Sequence, residues 1–166
     1  MDKKALLDKA YSTEIPHLSD LKKYIGKELG ISEWSTITQE QINTFGEVTN
    51  DNQWIHTDPE LAAKHSPYKQ TIAHGFLILS LASKFCFETF KIIDISMGLN
   101  YGLDKVRFIN PAVAGSQIRA RISLLSAEDI TGGLRYKMKL VFELKDQEKP
   151  ACVAEFIAQA YADPNR

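Results

Sequence analysis

Cysteine is scarce in this chain: among 166 residues there are two, Cys86 and Cys152, and they form no CxxC pair. Such spacing excludes a disulfide framework and a cysteine-rich zinc site, and fits two reduced thiols in an intracellular protein. Charge bias is missing as well. The 20 Lys and Arg nearly balance the 21 Asp and Glu, for a net charge of -1. A basic footprint for nucleic acid or an anionic membrane is therefore not expected. No apolar run approaches the roughly 20 residues of a membrane-spanning helix. The opening MDKKALLDKAYSTEIP has lysines but no long apolar stretch after them, so it does not read as a secretory signal. GxSxG, HExxH and a phosphate-binding glycine loop are all missing. The expectation is one cytoplasmic domain over residues 1–166, with no metal and no nucleic-acid or membrane partner.

Periodicity describes what is present. Residues 1–30 read as a helical N-terminal extension, with DKKALLDKAY and HLSDLKKYIGKELG as two short helices. ISEWSTI alternates like a short strand. Thr38 and Gln41 have capping-box spacing, so a helix is expected from 39 to 49, ending at Asn50-Asp51-Asn52. A second capping box is read at Thr57 and Glu60, with Pro59 in the first turn. A longer helix from His74-Gly75 to about Thr89, FLILSLASKFCFETF, is apolar almost all round, which predicts a buried helix. From residue 99 the period becomes two: NYGLDKVRF, QIRARISLL, LRYKMKLVFELK and ACVAEFIAQAY read as strands, with Gly132-Gly133 as a hairpin signal. Helices followed by a run of antiparallel strands predict an α+β fold, with one buried helix wrapped by a sheet.

The densest polar cluster is FGEVTNDNQWIH. A folded-back loop could bring Asp51 and His56 over one cavity, where a carboxylate and an imidazole can hold a water and move its proton. Burial is expected to act on both. The plainer alternative, an Asp that caps a turn and a His that is merely hydrogen-bonded, is favoured by residue types alone. Asp58 competes as the acid, but its place at a helix start marks it as a cap. The second cluster is TIAHGF. Gly75 at a helix start would let a ligand approach free backbone N–H groups, or would simply allow tight packing. His74 reads as a ring hydrogen-bonded near the site. Arg107, Arg119, Arg121 and Lys105 read as a solvated sheet face rather than a phosphate site.

At these residues the sequence resembles the MaoC-like dehydratases, the hydratase-2 or (R)-specific enoyl-CoA hydratase family. TNDNQWIH followed by TIAHGF carries the likeness, and YGLDKVRFINPAVAGSQIRARISL is similar to the family's later strand pattern. The DNQWIH form looks most like the nodulation-protein-N-like branch. The resemblance implies a hot-dog fold, dimeric through its sheets. It implies that Asp51 and His56 hold the catalytic water and that the Gly75 N–H contacts a thioester oxygen. Gln53, Trp54, His74 and Phe76 then fall on the substrate side. The substrate would be an acyl-CoA or acyl-carrier-protein thioester, and no further cofactor is implied. The family's usual glycine before the aspartate is Asn50 here, and its usual Asn-Pro is Gln53-Trp54. Two rivals are a hot-dog acyl-CoA thioesterase and a non-catalytic acyl-thioester-binding protein.

Overall fold

The structure is a computed structural model that describes residues 9–163. Eight strands form one sheet: β1 (Tyr11–Ile15), β2 (Glu28–Ile31), β3 (Ser35–Thr36), β4 (Phe90–Ile92), β5 (Ile95–Phe108), β6 (Gln117–Ile130), β7 (Gly133–Leu144) and β8 (Cys152–Ala162). Their order is β4-β1-β2-β6-β7-β8-β5, with β3 paired to β6. The pairs are antiparallel apart from β1 with β4, which run parallel. Helices lie between β3 and β4: α1 (Gln39–Thr49), α2 (Trp54–Thr57), α3 (Pro59–His65), α4 (Gly75–Ser80) and α5 (Ala82–Thr89).

The period-two segments become the sheet because their alternate residues are apolar. Ile118, Ala120, Ile122 and Leu124 of β6 are buried on one face, beside Met138, Leu140 and Phe142 of β7 and Ala154, Phe156 and Ala158 of β8. Phe85 of α5 packs onto Phe142, ring centroids 6.1 Å apart. The other face of β6 carries Arg119 and Arg121. Arg119 is stacked over by Trp34, 4.5 Å from its ring centroid, and pairs with Glu143 at 2.7 Å. Arg121 pairs with Glu28 at 2.8 Å. These arginines are bound into cross-strand carboxylate pairs, not left for phosphate.

Several expectations need correction. Residues 1–8 of the expected helical extension lie outside the described residues. YSTEI is a strand, because Thr13 and Ile15 pair with Phe90 and Ile92 at the sheet edge. HLSDLKKYIGKELG forms a 3-10 helix, Leu18–Tyr24, and then β2. ISEWSTI is not one strand. The Ser32 hydroxyl accepts from the Ala120 N–H, which interrupts the ladder before β3. The capping box at Thr38 forms as read. The one at Thr57 does not: the Asp58 carboxylate caps α3 instead, accepting from Leu61 N–H at 2.9 Å.

The long apolar helix is two pieces that meet at Leu81, and it is not buried all round. Leu77, Ile78, Ala82, Phe85 and Thr89 recur at helical spacing and face the sheet. Phe76 and Phe87 point the other way and are 70% and 86% exposed, because the sheet covers one side only. A sheet curled round one helix is nonetheless the α+β hot-dog arrangement anticipated. Among the described residues no helix is long and apolar enough to cross a membrane.

Both thiols are held in their neutral form by burial. Cys86 on α5 is pushed up to about 12 and Cys152 on β8 to about 11, from an ordinary value of 9.0. Raised folded values mean that the unfolded chain loses these protons first. Their contribution is complete below pH 9.0 and is lost as the pH climbs toward 11 and 12. Urea midpoints are therefore expected to fall above pH 9.0, at up to about 1.4 kcal/mol per pH unit for each thiol. A Cys86→Ala, Cys152→Ala double variant should lose that part of the slope. At pH 8 a thiol-reactive dye should label the buried Cys152 only as fast as the protein opens, and the half-buried Cys86 faster.

Candidate active site

Asp51 follows directly from how α1 ends. Asn50 takes the left-handed conformation, φ 58°, that asparagine tolerates, and turns the chain back on the helix. Asp51 N–H then donates to the Gly46 carbonyl at 3.0 Å. Gly46 is needed there, since a Cβ would sit 3.0 Å from the Asp51 carbonyl oxygen. From the other side the His74 Nε2–H donates to that same Asp51 carbonyl at 2.9 Å.

His56 sits on α2, a single turn started by Gln53, whose carbonyl accepts from His56 N–H at 2.9 Å. Its Nδ1–H donates to the Ile72 carbonyl at 2.7 Å. A carbonyl only accepts, so Nδ1 carries the hydrogen, and in the neutral ring Nε2 is the nitrogen with the lone pair. Gln39 locks this position from the start of α1: its amide donates to the His56 carbonyl at 2.8 Å, while its amide oxygen accepts from the buried Thr71 hydroxyl. Gln39 was read from sequence only as a helix residue. Its partners lie 17 and 32 positions away, and no local pattern signals such bonds.

His74 stacks on His56, ring centroids 3.8 Å apart and planes at 29°. The side chains of Asp51, His56 and His74 bring donor atoms within 4.8 Å of one another. Beside them opens a cavity of about 330 Å³, lined by His56, Gly75, Ile78, Phe108, Asn110 and Pro111 among others. Gly75 is the first residue of α4, whose leading N–H groups have no intrahelical partner. A Cβ on Gly75 would lie 3.0 Å from the Phe108 ring, so the glycine keeps this wall open.

The folded-back loop thus brings Asp51 and His56 together, next to Gly75. The other expected substrate-side residues diverge. Gln53 and Trp54 do not line the cavity; both are exposed, and Trp54 leans on His65 with centroids 6.5 Å apart. Phe76 meets the cavity-lining Phe108 edge to face, 6.0 Å between centroids, but is itself largely exposed. Nor is Asp51 buried as expected: its side chain is 56% exposed, with nothing else among the described residues covering the outer side of the loop. A larger cleft, about 530 Å³, lies on the outer sheet face by Trp34, Arg119 and Glu143. Its arginine is already paired, and it holds no acid–imidazole arrangement.

This fold and this acid–imidazole loop define a class, and the chain belongs to the MaoC-like domain family, whose model matches residues 20–141. Among its relatives is the 3-hydroxyacyl-thioester dehydratase Z of Mycobacterium tuberculosis, 42% identical over 146 residues, spanning 87% of this chain and 96% of the relative. Nodulation protein N of Rhizobium leguminosarum bv. viciae is 44% identical over 151 residues, 89% of this chain and 93% of its own. Among solved structures, the R-hydratase PhaJ1 of Pseudomonas aeruginosa superposes with a TM-score of 0.68 at 22% identity, covering 84% of this chain and 83% of that one. At that identity the superposition speaks for the fold.

Proposed function

We propose that this protein catalyses the reversible syn hydration of a trans-2-enoyl thioester to a (3R)-3-hydroxyacyl thioester, in cytoplasmic acyl-CoA metabolism. The observation that carries the reading is the meeting of the Asp51 and His56 side chains beside a cavity that His56 and the Gly75 helix start line. Similarity to a dehydratase over nearly the whole chain supports it.

In this reading Asp51 and the free Nε2 of His56 grip one water. As its oxygen bonds to C3, one of the two takes the water's proton. The C2=C3 pair moves into the thioester as an enolate, and a proton is delivered to C2. The Gly75 N–H donates to the oxygen where that charge grows. Dehydration is the same path reversed. Coenzyme A or acyl carrier protein enters as part of the substrate.

In this reading no metal takes part, and one nitrogen of each ring is engaged by a carbonyl.

We also infer a homodimer. β5 is a 14-residue strand that pairs with β8 alone among the described residues, and it exposes Met97, Leu99, Tyr101 and Leu103. A long apolar free edge wants a second strand. Exposed Phe76 and Phe87 and the open side of Asp51 would gain cover from the same partner. Light scattering should give twice the 18.7 kDa chain mass, and a Leu99→Lys, Leu103→Lys variant should shift toward monomer.

The test of function is a panel of enoyl-CoAs of increasing chain length, followed by loss of enoyl-thioester absorbance with a thiol dye present. Hydration without thiol release is expected. Free thiol would make the protein a thioesterase, and saturable binding without turnover would make it a binding protein.

A further inference from the structure

His74 is 3% exposed, and its Nε2–H and one ring face are taken up by the protein itself, so it is not placed to touch substrate. Its side-chain hydrogen bond and its ring stacking both go to the machinery instead. Its Nε2–H bonds the Asp51 main-chain carbonyl at 2.9 Å, while the Asp51 carboxylate oxygen lies 3.9 Å away, beyond hydrogen-bond reach. Its ring faces that of His56 at 3.8 Å, and Phe45 packs on it with centroids 5.1 Å apart. Its own backbone is the N-cap that leads into Gly75.

We propose that His74 is a positioning residue: one buried ring sets the spacing of Asp51 and His56, by bonding the main chain of one and stacking on the side chain of the other. This rests on the hydratase reading for its catalytic consequence, but not for its geometry.

The chemistry of the ring supports the assignment. With the hydrogen on Nε2, Nδ1 holds a lone pair, and this buried nitrogen has no partner. An unpaired buried polar atom is a cost that a phenyl ring would avoid. The cost is tolerable if both a flat face and an N–H on its edge are required. Phenylalanine stacks but cannot donate. Glutamine and asparagine donate but do not stack, and tryptophan does both but is far larger. Imidazole is the small side chain that does both. The stacking also completes what hydrogen bonds leave undone. The His56 Nδ1–H bond to Ile72 pins one edge of that ring, about which it could still swing. A stacked ring with its centroid at 3.8 Å, tilted by 29°, stops the swing and keeps Nε2 aimed beside Asp51.

Two variants of the full chain separate the two halves. His74→Phe keeps the face and loses the donor; His74→Gln keeps the donor and loses the face. Each should lower kcat for enoyl-CoA hydration by about 10- to 100-fold, the scale of a misplacement near 1 Å, and leave KM within about twofold. Added to His56→Ala, His74→Gln should cost less than about twofold more, since the group it acts through is gone. A readout independent of turnover is the ring ¹⁵N spectrum of the four histidines. Wild-type His56 should show one Nδ1–H tautomer; His74→Gln, which removes the stacked face, should show a mixture, and His74→Phe should not. Unchanged kcat in both variants, or an unchanged His56 spectrum in His74→Gln, would overturn the proposal. So would a loss confined to KM, which marks a substrate contact, or a loss that vanishes on cooling with a lowered melting point. Should wild type hydrate nothing while the spectra change as described, the positioning role stands and the hydratase reading falls.

Discussion

Asp51→Asn and His56→Ala should each lower kcat/KM for enoyl-CoA hydration by about 10³-fold, within the range a positioned acid or base contributes. Asp51→Asn changes one exposed atom in a loop whose main chain is held by Gly46 and His74. Its melting temperature should therefore match wild type. His56→Ala removes the donor to the Ile72 carbonyl and the ring under His74, and should cost about 1 kcal/mol of stability. That is a few degrees in melting temperature, too little to unfold the protein at 25 °C. Because the two groups act on one water, the double variant should be barely worse than either alone. Full hydration by both purified single variants would remove the pair from the mechanism.

Gly75→Ala should lose about 10²-fold in kcat/KM while gaining or keeping stability. The two effects come from different places. Alanine is a better helix residue than glycine by up to about 1 kcal/mol, and the Gly75 φ does not lie in the left-handed region. The added Cβ, however, would stand 3.0 Å from the Phe108 ring in the cavity wall. The ring must shift into the space where a thioester would lie, and the methyl group covers the N–H that is to meet its oxygen. Losing one such donor is worth about 10²- to 10³-fold elsewhere. A melting temperature at or above wild type, with activity down, would separate site geometry from folding. Unchanged activity would remove Gly75 from the oxyanion role and leave it a packing glycine.

Much of this molecule was legible along the chain. Alternation placed β6 and β7, because each strand faces the core on one side only. Thr38 and Gln41 marked the start of α1, because a capping box is a local device. Asn50 marked its end, because few residues besides glycine accept a positive φ. The errors fall where long-range contacts override local preference. YSTEI became a strand through β4, some 75 residues on, with which it pairs in parallel. Phe76 and Phe87 read as core in an all-apolar helix, but a sheet can wrap only one side of it.

The site divides along the same line. Residue types in TNDNQWIH and TIAHGF were enough to name Asp51, His56 and Gly75 as candidates, since acid, imidazole and helix-start glycine are properties of side chains and local backbone. Their convergence is not a local property. It depends on Gln39 holding the His56 carbonyl, on Ile72 taking the His56 ring hydrogen, and on His74 joining the Asp51 loop to that ring, across 16 to 23 residues of chain. The same packing turned Trp54 away toward His65 and left Gln53 in solvent. Hydrogen bonds between segments distant in the chain have no period and no spacing to read, so they emerge only once the core has brought those segments together.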